Sequence, residues 1–181
     1  MRQICCLIAT LTIFIATTAA FAQRSTPSQL LHPAGAAGDN FGVSVAIDGD
    51  TMIVGAAFDD VGSNSYQGSA HVYRWNGTGW AFEASLIASD DAGSDNFGRS
   101  VAISGDTAVV AAFRDDVGNN GNQGSAYIFV RSGTTWTQQA KLTASDGAFL
   151  DYFGYSVALA GDTAVVGAIY DDVGATADQG S

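Results

Sequence analysis

One 56-residue sequence unit repeats almost three times along this chain of 181 residues. Four short motifs recur at that spacing: Phe-Gly from residues 41, 97 and 153; Gly-Asp-Thr from 49, 105 and 161; Asp-Asp-Val-Gly from 59, 115 and 171; and Gln-Gly-Ser from 67, 123 and 179. Because the register never slips, the chain is predicted to be an array of one structural unit. The repeats are expected at about 41–96, 97–152 and 153–181, the last one truncated.

The first repeat contains four segments typical of β-strands. Residues 41–47 alternate small and branched side chains, and residues 51–57 are apolar on both faces, as expected for a buried strand. Residues 69–75 lead into Asn76-Gly77, a strong hairpin signal, and a more polar fourth strand is expected at 80–87. The composition agrees, since 22 glycines with a single Glu and a single Lys favour turns and strands over helices.

Side-chain size along these strands favours a β-propeller. The first two strands carry small residues on one face, whereas the last two carry Trp, Tyr, Phe and polar residues. Sheets that radiate from an axis crowd their inner strands and spread their outer strands, so small inner and large outer residues fit such a wedge. The predicted fold is therefore all-β, with propeller blades of four antiparallel strands.

Residues 1–22 are predicted to be a secretory signal peptide. A basic residue precedes an almost wholly apolar stretch, and Ala20-Phe21-Ala22 supplies the small residues that cleavage requires. An uncleaved membrane anchor is the alternative. Cys5 and Cys6 both lie in this segment, so the processed chain is expected to have no disulfide and no thiol. It is also expected to have no membrane span, because no other stretch is long and apolar enough.

Residues 23–28 are predicted to be a short linker, and the repeat region is predicted to span 29–181. Residues 29–32 align with the fourth strand of the first repeat, so an orphan outer strand is expected there. The chain holds fewer than three repeats, whereas propellers typically have about four to eight blades. The remaining blades are expected from a longer chain or, alternatively, from an oligomer that completes the ring.

The repeat motifs resemble the FG-GAP repeat over residues 30–181: Phe-Gly before Ser-Val-Ala, then Gly-Asp-Thr, Val-Val-Gly-Ala and Gln-Gly-Ser-Ala-Tyr. This resemblance implies a propeller like that of integrin α subunits, and an extracellular, adhesion-type role. Integrin blades, however, carry an Asp-rich calcium loop between their first two strands, where this chain has only a short turn such as 48–50. Calcium takes about six to eight oxygen ligands, so the integrin calcium sites are not expected here.

No cofactor and no metal site are predicted, although acidic loops leave weak calcium binding open. The candidate oxygen ligands are Asp59, Asp60, Asn64, Asp90, Asp91, Asp95, Asp115, Asp116, Asn119 and Asn120. Hard oxygen ligands of this kind suit calcium. The alternative is that these aspartates cap turns by accepting backbone N–H bonds, and their recurrence in every repeat favours it.

The chain is not predicted to be an enzyme. Its two histidines, His32 and His71, stand in no metal-binding spacing such as H-E-x-x-H, and no serine lies in G-x-S-x-G. His71 replaces Tyr127 of the second repeat, so an ordinary strand side chain is expected there. Nucleic acid is not a predicted partner either, because a net charge of −11 repels phosphate backbones.

Two arginines of the second repeat are the predicted ligand-binding residues. Arg99 stands where the other repeats have Val and Tyr, and Arg114 where they have Phe and Tyr. Arginines beside rings such as Phe113 and Tyr127 can contact an anionic sugar or a partner's carboxylate. The alternative interpretation is that they form surface salt bridges to the acidic pair 115–116.

These features together favour a secreted or cell-surface interaction or adhesion module. Such a module would bind protein or polysaccharide through its propeller loops and have no catalysis of its own. Two alternatives stay open: a non-catalytic ancillary propeller domain of a larger secreted enzyme, and a structural array at the cell surface.

Overall fold

The structure, a computed structural model, describes residues 29–90 and 92–181, so the predicted signal peptide and linker lie outside the described residues. The chain divides into two compact units, Met1–Leu30 and Leu31–Ser181, and the strands described below belong to the second. Within the described residues there are ten strands and no helix, and therefore none that could cross a membrane.

The strands form three antiparallel sheets that follow the sequence repeat. They are β1 (Phe41–Asp48), β2 (Thr51–Ala56), β3 (Ser69–Trp75), β4 (Trp80–Leu86), β5 (Phe97–Ser104), β6 (Thr107–Ala112), β7 (Ser125–Ser132), β8 (Thr135–Leu142), β9 (Phe153–Ala160) and β10 (Thr163–Ala168). The first two sheets are blades of four consecutive strands, and the third contains β9 and β10. The predicted incomplete set of propeller blades is confirmed, and each strand end of the first repeat lies within one residue of its prediction.

Residues 29–32, which are predicted to form an orphan outer strand, have no strand structure. A strand requires a hydrogen-bonded neighbour. The neighbour expected here is a third strand of the last blade, and the third sheet consists of β9 and β10. The carbonyl of Leu31 accepts a hydrogen bond from the Tyr73 hydroxyl at 2.7 Å, which holds Leu31 against the first blade.

The blades pack face to face through their inner strands. β5 packs on β1 and β2, and β9 packs on β5 and β6, whereas the outer strands β4 and β8 make few contacts with each other. The core between the first two blades includes Ile53, Val72, Phe97, Val110, Tyr127 and Phe129. The inner strands are thus close and the outer strands spread, as the predicted wedge requires.

Glycines in two of the repeated motifs allow this close approach. Gly98 has a φ of +85°, and a Cβ there would lie 2.2 Å from the Ser69 carbonyl oxygen of the preceding blade. A Cβ on Gly68 would lie 2.1 Å from the Phe97 carbonyl oxygen. The Phe97 amide donates to the Gln67 carbonyl at 2.8 Å, and the same bond recurs between the second and third repeats. Gln-Gly-Ser of one blade and Phe-Gly of the next therefore form the contact that joins neighbouring blades.

Both ends of the blade stack expose apolar side chains. Val45 and Ile47 of β1 are 65% and 60% exposed, whereas their equivalents in β5, Val101 and Ile103, are buried. At the other end, Val165 of β10 is 63% exposed, although its equivalent in β6 is fully buried. Each end therefore presents a surface that a neighbouring blade covers elsewhere in the stack.

Candidate functional site

The long loops of all three repeats lie at one end of the blades. Consecutive strands are antiparallel, so each first strand begins at this end and each second strand finishes there. The opposite end carries tight turns such as residues 49–50. We call the end with the long loops the loop face; it comprises residues 33–40, 57–68, 92–96, 113–124, 143–152 and 169–180.

Aspartate side chains hold these loops by accepting backbone hydrogen bonds. Asp60 Oδ1 accepts from the amide of Tyr66 at 2.9 Å, and Asp116 Oδ1 accepts from the amide of Asn122 at 2.7 Å. The third repeat forms the equivalent bond at 2.8 Å. For these carboxylates the turn-capping interpretation is confirmed. Asp91, another of the candidate calcium ligands, lies outside the described residues.

The structure places both predicted ligand-binding arginines in one aromatic cluster, with Arg114 on the loop face and Arg99 in β5, close to the end of the strand that adjoins it. Arg99 Cζ lies 5.3 Å from the centroid of the Tyr155 ring, and Arg114 Cζ lies 5.3 Å from that of Phe113. The rings of Phe113 and Tyr155 are 5.7 Å apart and perpendicular. Two further rings extend the cluster, those of Tyr152 and Tyr170. Residues of the second and third repeats thus combine into one surface that is both aromatic and cationic.

Among the residues that the structure describes, neither Arg99 nor Arg114 pairs with a carboxylate. The predicted alternative, salt bridges to residues 115–116, is therefore not formed. Asp115 instead binds Lys141 at 2.6 Å. Tyr127, predicted as an aromatic neighbour of the arginines, is buried and contacts Lys141, whose Nζ is 5.5 Å from the ring centroid.

A cleft of about 420 Å³ opens on the loop face beside Arg114. The rings of Phe58 and Tyr66 meet edge to face in its wall, 5.7 Å apart, and both are exposed. Two carboxylates, Asp39 and Asp60, also line the cleft, but each accepts a backbone hydrogen bond. The cleft therefore offers apolar ring surface beside a guanidinium that pairs with no carboxylate of the described residues.

A second cluster, in the first blade, brings together both histidines of the chain. His32 Nε2 lies 3.3 Å from Asp59 Oδ2, and the two imidazole rings are 4.2 Å apart. Ser69 Oγ donates to Asp59 Oδ2 at 2.6 Å and lies 2.8 Å from His71 Nε2. The cluster lines a surface pocket of about 310 Å³.

Serine, histidine and aspartate meet here without the geometry of a nucleophilic triad. In a triad the carboxylate orients the histidine, and the histidine takes the proton of an accessible serine. Asp59 instead binds the serine, Ser69 is buried, and His71 Nδ1 lies 3.0 Å from Ser85 Oγ. Burial, reinforced by the nearby His32, lowers the pKa of His71 to about 4, so its imidazole is neutral near pH 7. The two imidazoles and the carboxylate of Asp59 have ligand atoms within 4.8 Å of one another and could hold a metal ion.

Sequence reasoning missed this cluster because its members are far apart along the chain. His71 was expected to be an ordinary strand residue, and His32 is brought to it by the packing of the segment before β1 against β3. One signal was available: three positions around Asp59 differ from their counterparts around Asp115 in the second repeat. They are His32 for Ala88, His71 for Tyr127 and Ser85 for Lys141.

A sequence model of the FG-GAP repeat matches three segments of the chain, residues 27–73, 80–129 and 136–181. These segments cover most of the chain, and each contains one copy of the four repeated motifs. They contain the Phe-Gly and Gln-Gly-Ser motifs that join neighbouring blades in the structure. No curated protein matches the chain.

Proposed function

The chain belongs to the FG-GAP repeat family, and from that membership we propose that it is a secreted or cell-surface interaction module. Its loop face binds the ligand, and the module has no catalysis of its own. FG-GAP repeats form propeller-type modules that are often extracellular. The predicted signal peptide at residues 1–22 agrees with export of the chain.

The observation that supports ligand binding most directly is the cation–aromatic cluster beside the 420 Å³ cleft. Arg99 and Arg114 replace apolar or aromatic residues of the other repeats, and neither forms an ion pair with a described residue. Positions shared by all repeats serve the common frame, so residues in or next to the loops that differ between repeats are the ones available for recognition. Arg114 stands on the loop face and Arg99 near the adjoining end of β5, in a chain of net charge −11 where cations are few.

The chemistry of the cluster favours a polysaccharide that contains carboxylated sugars. Exposed rings such as Phe58, Tyr66 and Tyr170 offer flat apolar surface on which a sugar ring can stack. A guanidinium binds a carboxylate through two parallel hydrogen bonds. An acidic segment of a protein partner would use the arginines but would not need the rings.

Isothermal titration of the purified protein with polygalacturonate, a polymer of carboxylated sugars, tests this proposal. We expect binding that weakens with salt and that falls at least about tenfold in Arg114→Ala and in Arg99→Ala, since each loses a charge-assisted contact. Arg74→Ala is the matched control. It removes the same charge at the opposite end of the blades, where Arg74 donates to Thr51, and should leave affinity unchanged.

Three results would contradict the proposal of a carboxylated polysaccharide. The first is no binding of polygalacturonate by the unaltered protein, and the second is equal loss in Arg74→Ala and Arg114→Ala. The third is binding of poly-glutamate with none of polygalacturonate, which would indicate an acidic protein partner on the same arginines.

A further inference from the structure

We propose that His32, Asp59 and His71 bind one Zn²⁺ ion in the first blade, where the loop 57–68 meets β3, through residues that are not part of the arginine and aromatic cluster. Zn²⁺ takes imidazole nitrogens at about 2.0–2.1 Å and carboxylate oxygens at about 2.0–2.2 Å. In tetrahedral geometry such ligand atoms lie roughly 3.3 Å apart. His32 Nε2 and Asp59 Oδ2 are 3.3 Å apart, and all three ligand atoms lie within 4.8 Å of one another.

The donor set points to Zn²⁺ rather than to calcium or magnesium. Those two ions prefer oxygen ligands, whereas two imidazoles and one carboxylate suit a transition-metal ion. Three protein ligands also leave the fourth position of a tetrahedral ion free for water. The pocket of about 310 Å³, which His32, Asp59 and His71 line, provides the entry path and the room for that water.

In the second blade, the carboxylate at the equivalent place is paired with a cation. There Asp115 is buried and binds the ammonium of Lys141 at 2.6 Å, while the Tyr127 hydroxyl donates to it at 3.2 Å. Burial alone would lower the pKa of Lys141, but its hydrogen bonds to Asp115 and Asp90 raise the pKa above the ordinary value, so the ammonium stays charged. A permanent cation thus balances this inward-facing carboxylate.

The first blade has the carboxylate without that cation. Asp59 is equivalent to Asp115, but Ser85 stands where the second blade has Lys141, and His71 stands where it has Tyr127. The ammonium is therefore replaced by a short serine hydroxyl, and two imidazoles lie beside the carboxylate. A divalent ion bound there would supply the positive charge that Lys141 supplies in the second blade.

Surrounding groups are placed to orient the ligands. Ser85 Oγ lies 3.0 Å from His71 Nδ1 and holds the ring so that Nε2 lies 2.8 Å from Ser69 Oγ, which is itself bonded to Asp59. The Ala34 amide donates to His32 Nδ1 at 3.2 Å, so the neutral ring carries its proton on Nε2. When Zn²⁺ binds Nε2, that proton moves to Nδ1. The direct contacts of His32 with Asp59 and with Ala34, and that of His71 Nε2 with Ser69, are then exchanged for bonds to the metal.

Titration of the metal-free protein with ZnCl₂, using protein without a polyhistidine tag, tests the site. We expect one ion per chain by isothermal titration and a shift of both histidine ring signals by NMR; the chain has two histidines, so each signal can be assigned. His32→Gln should weaken Zn²⁺ binding more than about tenfold, and Ser85→Ala, which removes an orienting group, by about tenfold.

Ser85→Lys is the sharpest variant, because it rebuilds the arrangement of the second blade. The new ammonium should bind Asp59 and abolish Zn²⁺ uptake without unfolding the protein. Ser132→Lys adds the same charge at the exposed end of β7 and should leave Zn²⁺ binding unchanged. The proposal is wrong if the unaltered protein takes up no more Zn²⁺ than Ser85→Lys, or if His32→Gln binds as well as the unaltered protein.

Discussion

Arg131 of β7 forms a bidentate ion pair with Glu83 of β4 and so joins the outer parts of two neighbouring blades. Its Nε and Nη2 donate to the two carboxylate oxygens at 2.7 and 2.8 Å, and Trp136 Nε1 donates to the same carboxylate at 3.0 Å. Both charged side chains are largely shielded from solvent. The hydrogen bond from Arg131 lowers the pKa of Glu83 below its ordinary value, despite the opposing effect of burial.

Glu83→Gln is expected to reduce the free energy of unfolding at pH 7 by about 1.5–3 kcal/mol, because Arg131 loses its charged acceptor. The pKa of Glu83 is lowered on folding, so the stabilisation is complete above the unfolded pKa near 4.5 and is lost as pH falls through the folded value. Urea unfolding of both proteins across this range measures the difference. A difference as large at pH 3 as at pH 7 would show that the charge of Glu83 is not its source.

Gly98→Ala is expected to lower the free energy of unfolding by more than about 2 kcal/mol. The substitution combines a positive φ of +85° with a Cβ that would lie 2.2 Å from the Ser69 carbonyl oxygen. Gly105→Ala is the matched control, because its φ is +58° and open space surrounds its Cβ position. We expect the control to cost only about 1–2 kcal/mol in thermal or urea unfolding. Equal losses of unfolding free energy in the two variants would show that the close approach of the blades does not contribute to the cost of Gly98→Ala.

Asp95→Asn is expected to stabilise the protein above pH 6. Burial, together with the charges of Asp115 and Asp116, raises the pKa of Asp95 from 3.8 to about 6. The folded state therefore binds a proton that the unfolded state has lost, so the contribution of Asp95 to stability falls as pH rises from about 4 to 6. The variant removes this pH dependence. Its free energy of unfolding should therefore exceed that of the unaltered protein by an amount that grows between pH 4 and 6 to about 1–3 kcal/mol. Equilibrium unfolding at several pH values measures this difference in unfolding free energy. A difference that stays constant with pH would contradict the prediction.

Val101→Ala and Val45→Ala form a matched pair at equivalent positions of two blades. Val101 is buried between blades, so its truncation should cost about 2 kcal/mol of unfolding free energy. Val45 is 65% exposed, so its truncation should cost less than about 0.5 kcal/mol at low protein concentration. A cost for Val45→Ala that approaches that of Val101→Ala, and that rises with concentration, would show a second copy covering β1.

Strand positions could be predicted almost to the residue, because local rules decide them. The Asn76-Gly77 turn, the apolar run of β2 and the constant repeat length each follow from short-range sequence, and the structure agrees with all three. The role of Asp60 and Asp116 as loop caps could be predicted for the same reason, since the bonds span six residues.

Contacts between blades could not be predicted in the same way. The pairing of Arg99 with Tyr155 and the meeting of His32 with His71 depend on how segments from different repeats pack. The strand predicted at residues 29–32 stays a prediction for a related reason: similarity to a fourth strand indicates propensity, but a strand also requires a hydrogen-bonded neighbour.

The bond from the Phe97 amide to the Gln67 carbonyl gives the array a direction. The acceptor always precedes the donor along the chain, so a polypeptide leaving the ribosome completes each docking edge before the strand that will use it has been made. The propeller can therefore grow vectorially, with every finished blade serving as the template on which its successor folds.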